Sequence, residues 1–418
     1  MKFWIESLKS NFLKNRILVE NFTFLSVLQA SNLLLFIITI PYLFRVLGSK
    51  TYGLVVFAQT IVYYFTILVN FGFNLTATRD ISVNRDDHGK VSEIVSSVLI
   101  IKTSFFLISF ILIAVSTFTI TSLSQYRALF LLSMLSCLSE ALFPVWFFQG
   151  IEKMKYITFI NVSFRVMATL AVFVVITRQA DFYMYPLILG TGTVAGALTG
   201  LYIVFRKYRI RFSFEKIEIL KRYFTENIAY FFSNVSTQIY LNANRIIVGA
   251  FLGMTQVAYY DVAEKVINIL KVPYSLLGQS LFPRIAHGKR LGLLRKVTLW
   301  SLGLAVLIII CIFYFSGTII HFFSGTVNTE STAALRILSL ALVPISLGLY
   351  YGDILLINFG LKERYLLMRL MGLIFYVFLI SLMFILHSAG LREFATAIVL
   401  TETFIVIYSW ILCRKIII

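Results

Sequence analysis

Residues 93–117 read EIVSSVLIIKTSFFLISFILIAVST. Apart from Glu93 at its edge, the only charge in the run is Lys102. As a helix at about 1.5 Å per residue, the run is long enough for the roughly 30 Å hydrocarbon core of a bilayer. A helix also pairs every backbone group within the segment, which lipid demands. The same pattern recurs on both sides, giving apolar runs at 20–44, 52–75, 127–149, 156–178, 182–205, 226–251, 258–283, 297–316, 333–357, 365–387 and 391–413. The pattern predicts an all-α polytopic membrane protein with about twelve transmembrane helices.

Composition agrees. Hydrophobic residues make up 59% of the 418, and charged residues 13%. A soluble domain has roughly 45–50% and 25%. This excludes a disordered chain, a disulfide scaffold and an ordinary soluble enzyme. Cys137, Cys311 and Cys413 lie in or beside apolar runs, and His88, His287, His321 and His387 are scattered. Their spacing predicts neither a metal centre nor a cofactor site. The first 20 residues are amphipathic and basic, with no cleavage site of the signal-peptide kind.

Charge sets the orientation. With the N-terminus inside, 25 of the 37 Lys and Arg residues fall in inner segments and 5 in or at the edge of outer ones. Basic residues stay on the cytoplasmic side, so both termini are expected there. The net charge of +18 then reflects orientation and contact with anionic membrane lipids, not nucleic acid. No outer connection is long enough to house the acceptor site of an outer-face polymerase or glycosyltransferase.

The longest and most charged connection, 206–225, separates an N-terminal six-helix lobe (1–205) from a C-terminal one (226–418). Arg45-Val46-Leu47-Gly48 followed by Ala58-Gln59 is echoed by Ala250-Phe251-Leu252-Gly253 followed by Ala263-Glu264. Asn21 and Asn32 match Asn227 and Gln238, and Gly150 to Tyr156 is echoed by Gly360 to Tyr365. Two lobes of even span number face the same way, and a central cavity is expected between them.

Ionisable groups inside spans are costly and mark cavities or partners. Asn227, Asn234, Gln238, Asn242 and Arg245 share one helical face, as do Asp261, Glu264, Lys265, Asn268, Lys271, Ser275 and Gln279. Lys102, Glu140, Arg165 and Glu402 lie nearer mid-membrane; Arg336, Asp353 and Arg369 lie nearer span ends. Lys102, Arg165 and Arg245 have no partner on their own helix. With Lys265 and Lys271 they are the candidate cationic lining, suited to an anionic headgroup. Asn234, Gln238, Asn242 and Asn268 are the candidate polar lining. Glu140, Asp261 and Glu264 are candidates for proton or ion coupling, because a carboxyl group in a low dielectric exchanges charge for a proton. Helical pairing of Asp261 with Lys265 is the plain structural alternative. Gly190, Gly192, Gly196 and Gly200 have the spacing of a helix-packing stripe, and Pro41, Pro144, Pro273 and Pro344 are expected to kink helices.

Pro41 to Gly48 with Tyr52-Gly53, Asn70 to Ser82, and Pro144 to Gly150 with Glu152-Lys153-Met154 resemble the signature of bacterial O-antigen flippases of the Wzx type. These are polysaccharide transporters of the multidrug/oligosaccharidyl-lipid/polysaccharide (MOP) exporter superfamily. The resemblance implies a MATE-like fold of two six-helix bundles in the bacterial inner membrane. It implies no enzyme activity. Its implied cargo is undecaprenyl-diphosphate-linked oligosaccharide, an O-antigen repeat unit, moved from the cytoplasmic to the periplasmic leaflet by alternating access. It also implies an O-antigen polymerase and a chain-length regulator as partners. By the same likeness Arg79 would meet the diphosphate at the inner end of the second span, and Arg45 would sit near the outer rim. A drug/cation antiporter of the same superfamily is the rival, disfavoured by the excess of basic groups; a membrane-embedded polymerase or glycosyltransferase is disfavoured by the short outer loops.

Overall fold

A computed structural model describes the backbone of residues 2–288, 291–356 and 361–417. Side chains are described from residue 20 on, except at 229, 233, 275–295, 349, 350, 353, 354, 357–360, 362 and 414–418. The side chains of Ser275, Gln279, Asp353 and Gly360 therefore lie outside the described residues. All regular structure among the described residues is helical. In chain order the α-helices are α1 (Lys2–Asn70), α2 (Phe73–Asn84), α3 (His88–Thr119), α4 (Thr121–Ser124), α5 (Arg127–Leu142), α6 (Val145–Gly150), α7 (Met154–Val175) and α8 (Met184–Tyr202). They continue as α9 (Ile217–Phe251), α10 (Met254–Gly288), α11 (Leu291–Ser324), α12 (Thr329–Leu340), α13 (Leu342–Gly348), α14 (Lys362–Ile385) and α15 (Leu391–Ile417).

Nine segments among the described residues are long and apolar enough to cross a membrane. The first of them, Glu20–Asn84, has 65 residues, about three bilayer thicknesses at helical rise. It cannot be one span. It bends at Gly48, whose φ of 74° only glycine adopts freely, and turns at Phe71 and Gly72. The polar faces of α9 and α10 keep both outside the nine. Gly253, the repeat counterpart of Gly48, has φ 88°. The sequence echo thus marks a glycine of positive φ twice. Of the four prolines expected to kink helices, Pro144 separates α5 from α6, and Pro344 follows the break between α12 and α13. Pro41 lies inside the bent α1, and α10 runs through Pro273.

The chain packs as two compact units, residues 1–42 with 58–231, and 43–57 with 232–418. These bounds differ from a division at 206–225. The connection and the start of α9 pack with the first unit, and the tip of α1 with the second.

In the first unit α5 packs on α3 and α8, α8 on α7, and α2 on α6. Gly190 lets α8 approach α5, since a Cβ there would lie 2.4 Å from the Cβ of Leu135. The core is aromatic: Phe71, Phe73, Trp146, Phe147 and Phe148 are all buried. Phe71 stacks on Phe224 and Phe231 of α9. Burying such rings is worth about 1.5–3 kcal/mol each, which holds the start of α9, up to Phe231, to this unit. In the second unit α12 packs on α10, α11 and α15, and α14 on α15.

Candidate functional site

The second unit carries a buried ionic cluster. Asp261 on α10 is fully buried, and its Oδ2 accepts from Lys265 Nζ at 2.8 Å and from the Tyr52 hydroxyl at 2.8 Å. Arg245 on α9 puts Nε 3.4 Å from Asp261 Oδ1 and 2.9 Å from Glu264 Oε2. Lys265 also donates to the Tyr52 hydroxyl at 3.1 Å. The i,i+4 spacing of Asp261 and Lys265 forms the pair that helical geometry allows. Lys271 follows between one and two turns beyond Lys265. Arg245, Lys265 and Lys271 therefore face two carboxylates, a surplus of one positive charge. Beside the cluster, Asn244 donates to the Tyr260 hydroxyl at 2.7 Å and to the Phe394 carbonyl at 2.9 Å, and accepts from Tyr376.

The first unit carries a smaller group. Lys102 on α3 is fully buried and donates to Glu140 Oε1 on α5 at 3.1 Å. The same oxygen accepts from Asn70 Nδ2 at 2.7 Å. Arg165 on α7 has a neutral partner, Asn32 Oδ1 at 3.0 Å. It lines a cavity of about 190 Å³ with Gln59, Ser133, Ser136 and Thr193. A guanidinium held by one neutral amide keeps most of its donors for a ligand.

Lys102 and Arg245, without partners on their own helices, find carboxylates on neighbouring ones. The face running from Asn227 to Arg245 is not one lining. Asn227 is buried in the first unit, accepting from Thr76 and donating to the Tyr223 carbonyl at 2.7 Å. Asn242 bonds back to Gln238, with Nδ2 3.1 Å from its carbonyl oxygen. Asn234 is half-buried and Asn268 exposed. Arg79 is exposed and bonds Asp80 at 2.8 Å. Arg45 reaches the Phe322 carbonyl at 3.1 Å. Sequence reasoning missed Tyr52, Asn70 and Asn244 as cluster members. Asn70, a lone amide ending an apolar run, was the visible signal.

The Lys102–Glu140 pair yields a stability test. Lys102→Met is expected to cost about 1–3 kcal/mol, because Glu140 loses its cation but keeps Asn70. Lys102→Met with Glu140→Gln is expected to recover most of that loss. Thermal melts of the detergent-purified proteins measure both; equal melting of the single variant and wild type would refute a buried, coupled pair.

The sequence profile of the family described as "Polysaccharide biosynthesis protein" matches residues 18–289. A "Putative O-antigen transporter" of Escherichia coli (strain K12) is 27% identical over 291 residues, 70% of each chain. One of Shigella dysenteriae is 24% identical over 290 residues, 69% of this chain and 72% of the other. Among solved structures, the lipid II flippase MurJ in an inward closed conformation superposes with TM-score 0.73 at 13% identity, covering 95% of this chain and 87% of that one. MATE in complex with MaL6 gives 0.66 at 15%, covering 95% and 96%. At these identities the solved structures speak for the fold, that of polytopic MOP-type transporters.

Proposed function

The chain belongs to the polysaccharide biosynthesis protein family, and from that premise we propose that it is a flippase for undecaprenyl-diphosphate-linked oligosaccharide. The cargo is an O-antigen repeat unit, moved from the cytoplasmic to the periplasmic leaflet of the inner membrane. In this reading twelve helices cross the membrane as two six-helix lobes with both termini inside, and the lobes alternate access. The relatives named as O-antigen transporters support the cargo class. An O-antigen polymerase and its chain-length regulator are the partners that would receive the product.

One observation carries the reading: a surplus of cations on span helices, at Arg245, Lys265 and Lys271 in one unit and at the exposed Arg165 in the other. A drug/cation antiporter would need the opposite surplus. In the resting state Asp261 and Glu264 hold Arg245 and Lys265. An arriving diphosphate competes for these cations, and each carboxylate it displaces must find a new partner or take a proton, because a lone charge in low dielectric is costly. Cargo binding and proton uptake are thereby linked. Glu140, released from Lys102, would act in the same way. The membrane potential adds about 2.3 kcal/mol per charge per 100 mV, so roughly 4–5 kcal/mol for two net negative charges moving outward.

The test is complementation of a flippase-null strain at matched protein levels. Arg165→Gln and Lys271→Gln are each expected to cut surface polysaccharide by more than half. Their stability should change by no more than about 0.5–1 kcal/mol, because among the described residues the carboxylates Asp261 and Glu264 keep their ion pairs with Arg245 and Lys265. Wild-type export by both variants, or by the pair combined, would overturn the cationic reading.

A further inference from the structure

The second unit has another cationic feature, apart from the Asp261 cluster. Arg336 lies on α12 seven residues after Thr329, about 10 Å along the helix from its start. Its Nε donates to the neutral Ser316 hydroxyl at 2.8 Å, and its guanidinium lies 5.9 Å from the Phe313 ring centre. Among the described residues no carboxylate comes within ion-pair reach of it. Arg336 and Arg392 line one cavity of about 500 Å³, whose walls include Phe313, Val327, Ile337 and Leu340. Arg392 is held by Glu330 at 3.4 Å, with both groups about half exposed. Two guanidiniums against one carboxylate leave a net positive charge.

The surroundings indicate what the cavity faces. Tyr314 is 81% exposed, Phe315 60% and Val327 63%. In a polytopic membrane protein, an outward aromatic and apolar surface of this kind meets lipid, with tyrosine rings favoured at headgroup level. A cation among acyl chains is costly unless it reaches the interface or an anion. The cavity thus combines apolar walls for a lipid tail with a cationic end for a headgroup.

We propose that the cavity lined by Arg336 and Arg392 is a docking site for the phosphate headgroup of a two-chain anionic phospholipid. This site does not depend on the flippase reading, only on the membrane-spanning fold. The phosphodiester takes the guanidinium donors of Arg336 and shares those of Arg392 with Glu330. One acyl chain lies along Phe313, Ile337 and Leu340. Lys at either position would hold the charge but lose the forked geometry that suits phosphate.

The test uses the full chain, purified in detergent and titrated with phosphatidylglycerol, with phosphatidylcholine of the same chains, or with inorganic phosphate. Bound lipid is counted by native mass spectrometry. Wild type is expected to retain phosphatidylglycerol over phosphatidylcholine. Retention should fall about five-fold for each guanidinium removed, in Arg336→Gln and then Arg336→Gln with Arg392→Gln. Val327→Trp, which fills the mouth and keeps both arginines, should lower retention too. Melting in phosphatidylcholine checks that each variant is folded. Equal retention of phosphatidylglycerol by wild type and the folded double variant would overturn the proposal. So would inorganic phosphate displacing the lipid, which would make this a free-anion site.

Discussion

Asp261→Asn is expected to destabilise the protein by about 3–5 kcal/mol, the usual cost of removing one partner from a buried ion pair. The side chain is fully buried, accepts from Lys265 and Tyr52, and lies 3.4 Å from the guanidinium of Arg245. Asparagine keeps the volume but strips the charge. Arg245 retains Glu264 at 2.9 Å, whereas Lys265 loses the carboxylate that it meets at 2.8 Å. The amide also presents hydrogens to cations that already donate. Adding Lys265→Met removes the ammonium that faced the lost carboxylate and is expected to recover most of the lost stability. If the cations serve the cargo, export should stay low in the double variant. Melting temperature and surface polysaccharide, read on the same two proteins, separate the structural from the transport role. An Asp261→Asn protein melting with wild type would show that the carboxylate is not a buried keystone for Lys265, Tyr52 and Arg245.

Gly53→Val is expected to prevent the protein from accumulating in the membrane. A Cβ at Gly53 would lie 1.8 Å from the Met254 carbonyl oxygen and 2.7 Å from its carbon. Both obstacles are backbone at the start of α10, so no side-chain rotation relieves them. Overpacking commonly costs about 1–3 kcal/mol, and a clash with main chain belongs at or above the top of that range. The displacement would also move Tyr52, the preceding residue, away from Asp261. Gly48→Ala is the control. No atom lies within 4 Å of a Cβ there, but φ is 74°, and the strain is worth about 1–3 kcal/mol. Membrane-fraction immunoblots and melts should rank wild type above Gly48→Ala, and both above Gly53→Val. Normal accumulation of Gly53→Val would mean that α1 and α10 do not approach so closely.

Much of the fold is legible from sequence because lipid is a strict solvent. It demands long apolar runs with internally paired backbones, and over the described residues the predicted runs are largely helical, several of them broken into two helices. The turn at Gly48 is legible twice over, through its echo at Gly253. The site is legible by residue type and not by partner. Helical periodicity gives Lys265 to Asp261, four residues apart. It is silent on Lys102 and Glu140, which sit on different helices, and on Tyr52, which is 209 residues from Asp261. It also draws one continuous polar face along α9, where packing assigns Asn227 to the first unit and Arg245 to the second.

Residues 43–57 pack with 232–418, and this fixes an order of events during synthesis. At the usual 5–20 residues per second, a ribosome needs roughly ten seconds or more to travel from the first segment to the second. Throughout that interval the tip of the first helical hairpin has been made and its docking surface has not. The nascent chain must hold the Tyr52 hydroxyl and the narrow seat at Gly53 in reserve until α10 emerges. Severed at the basic connection, the leading fragment would carry a hairpin tip with nothing to dock on, and co-expression of the trailing fragment would be needed to rescue it from quality-control proteases.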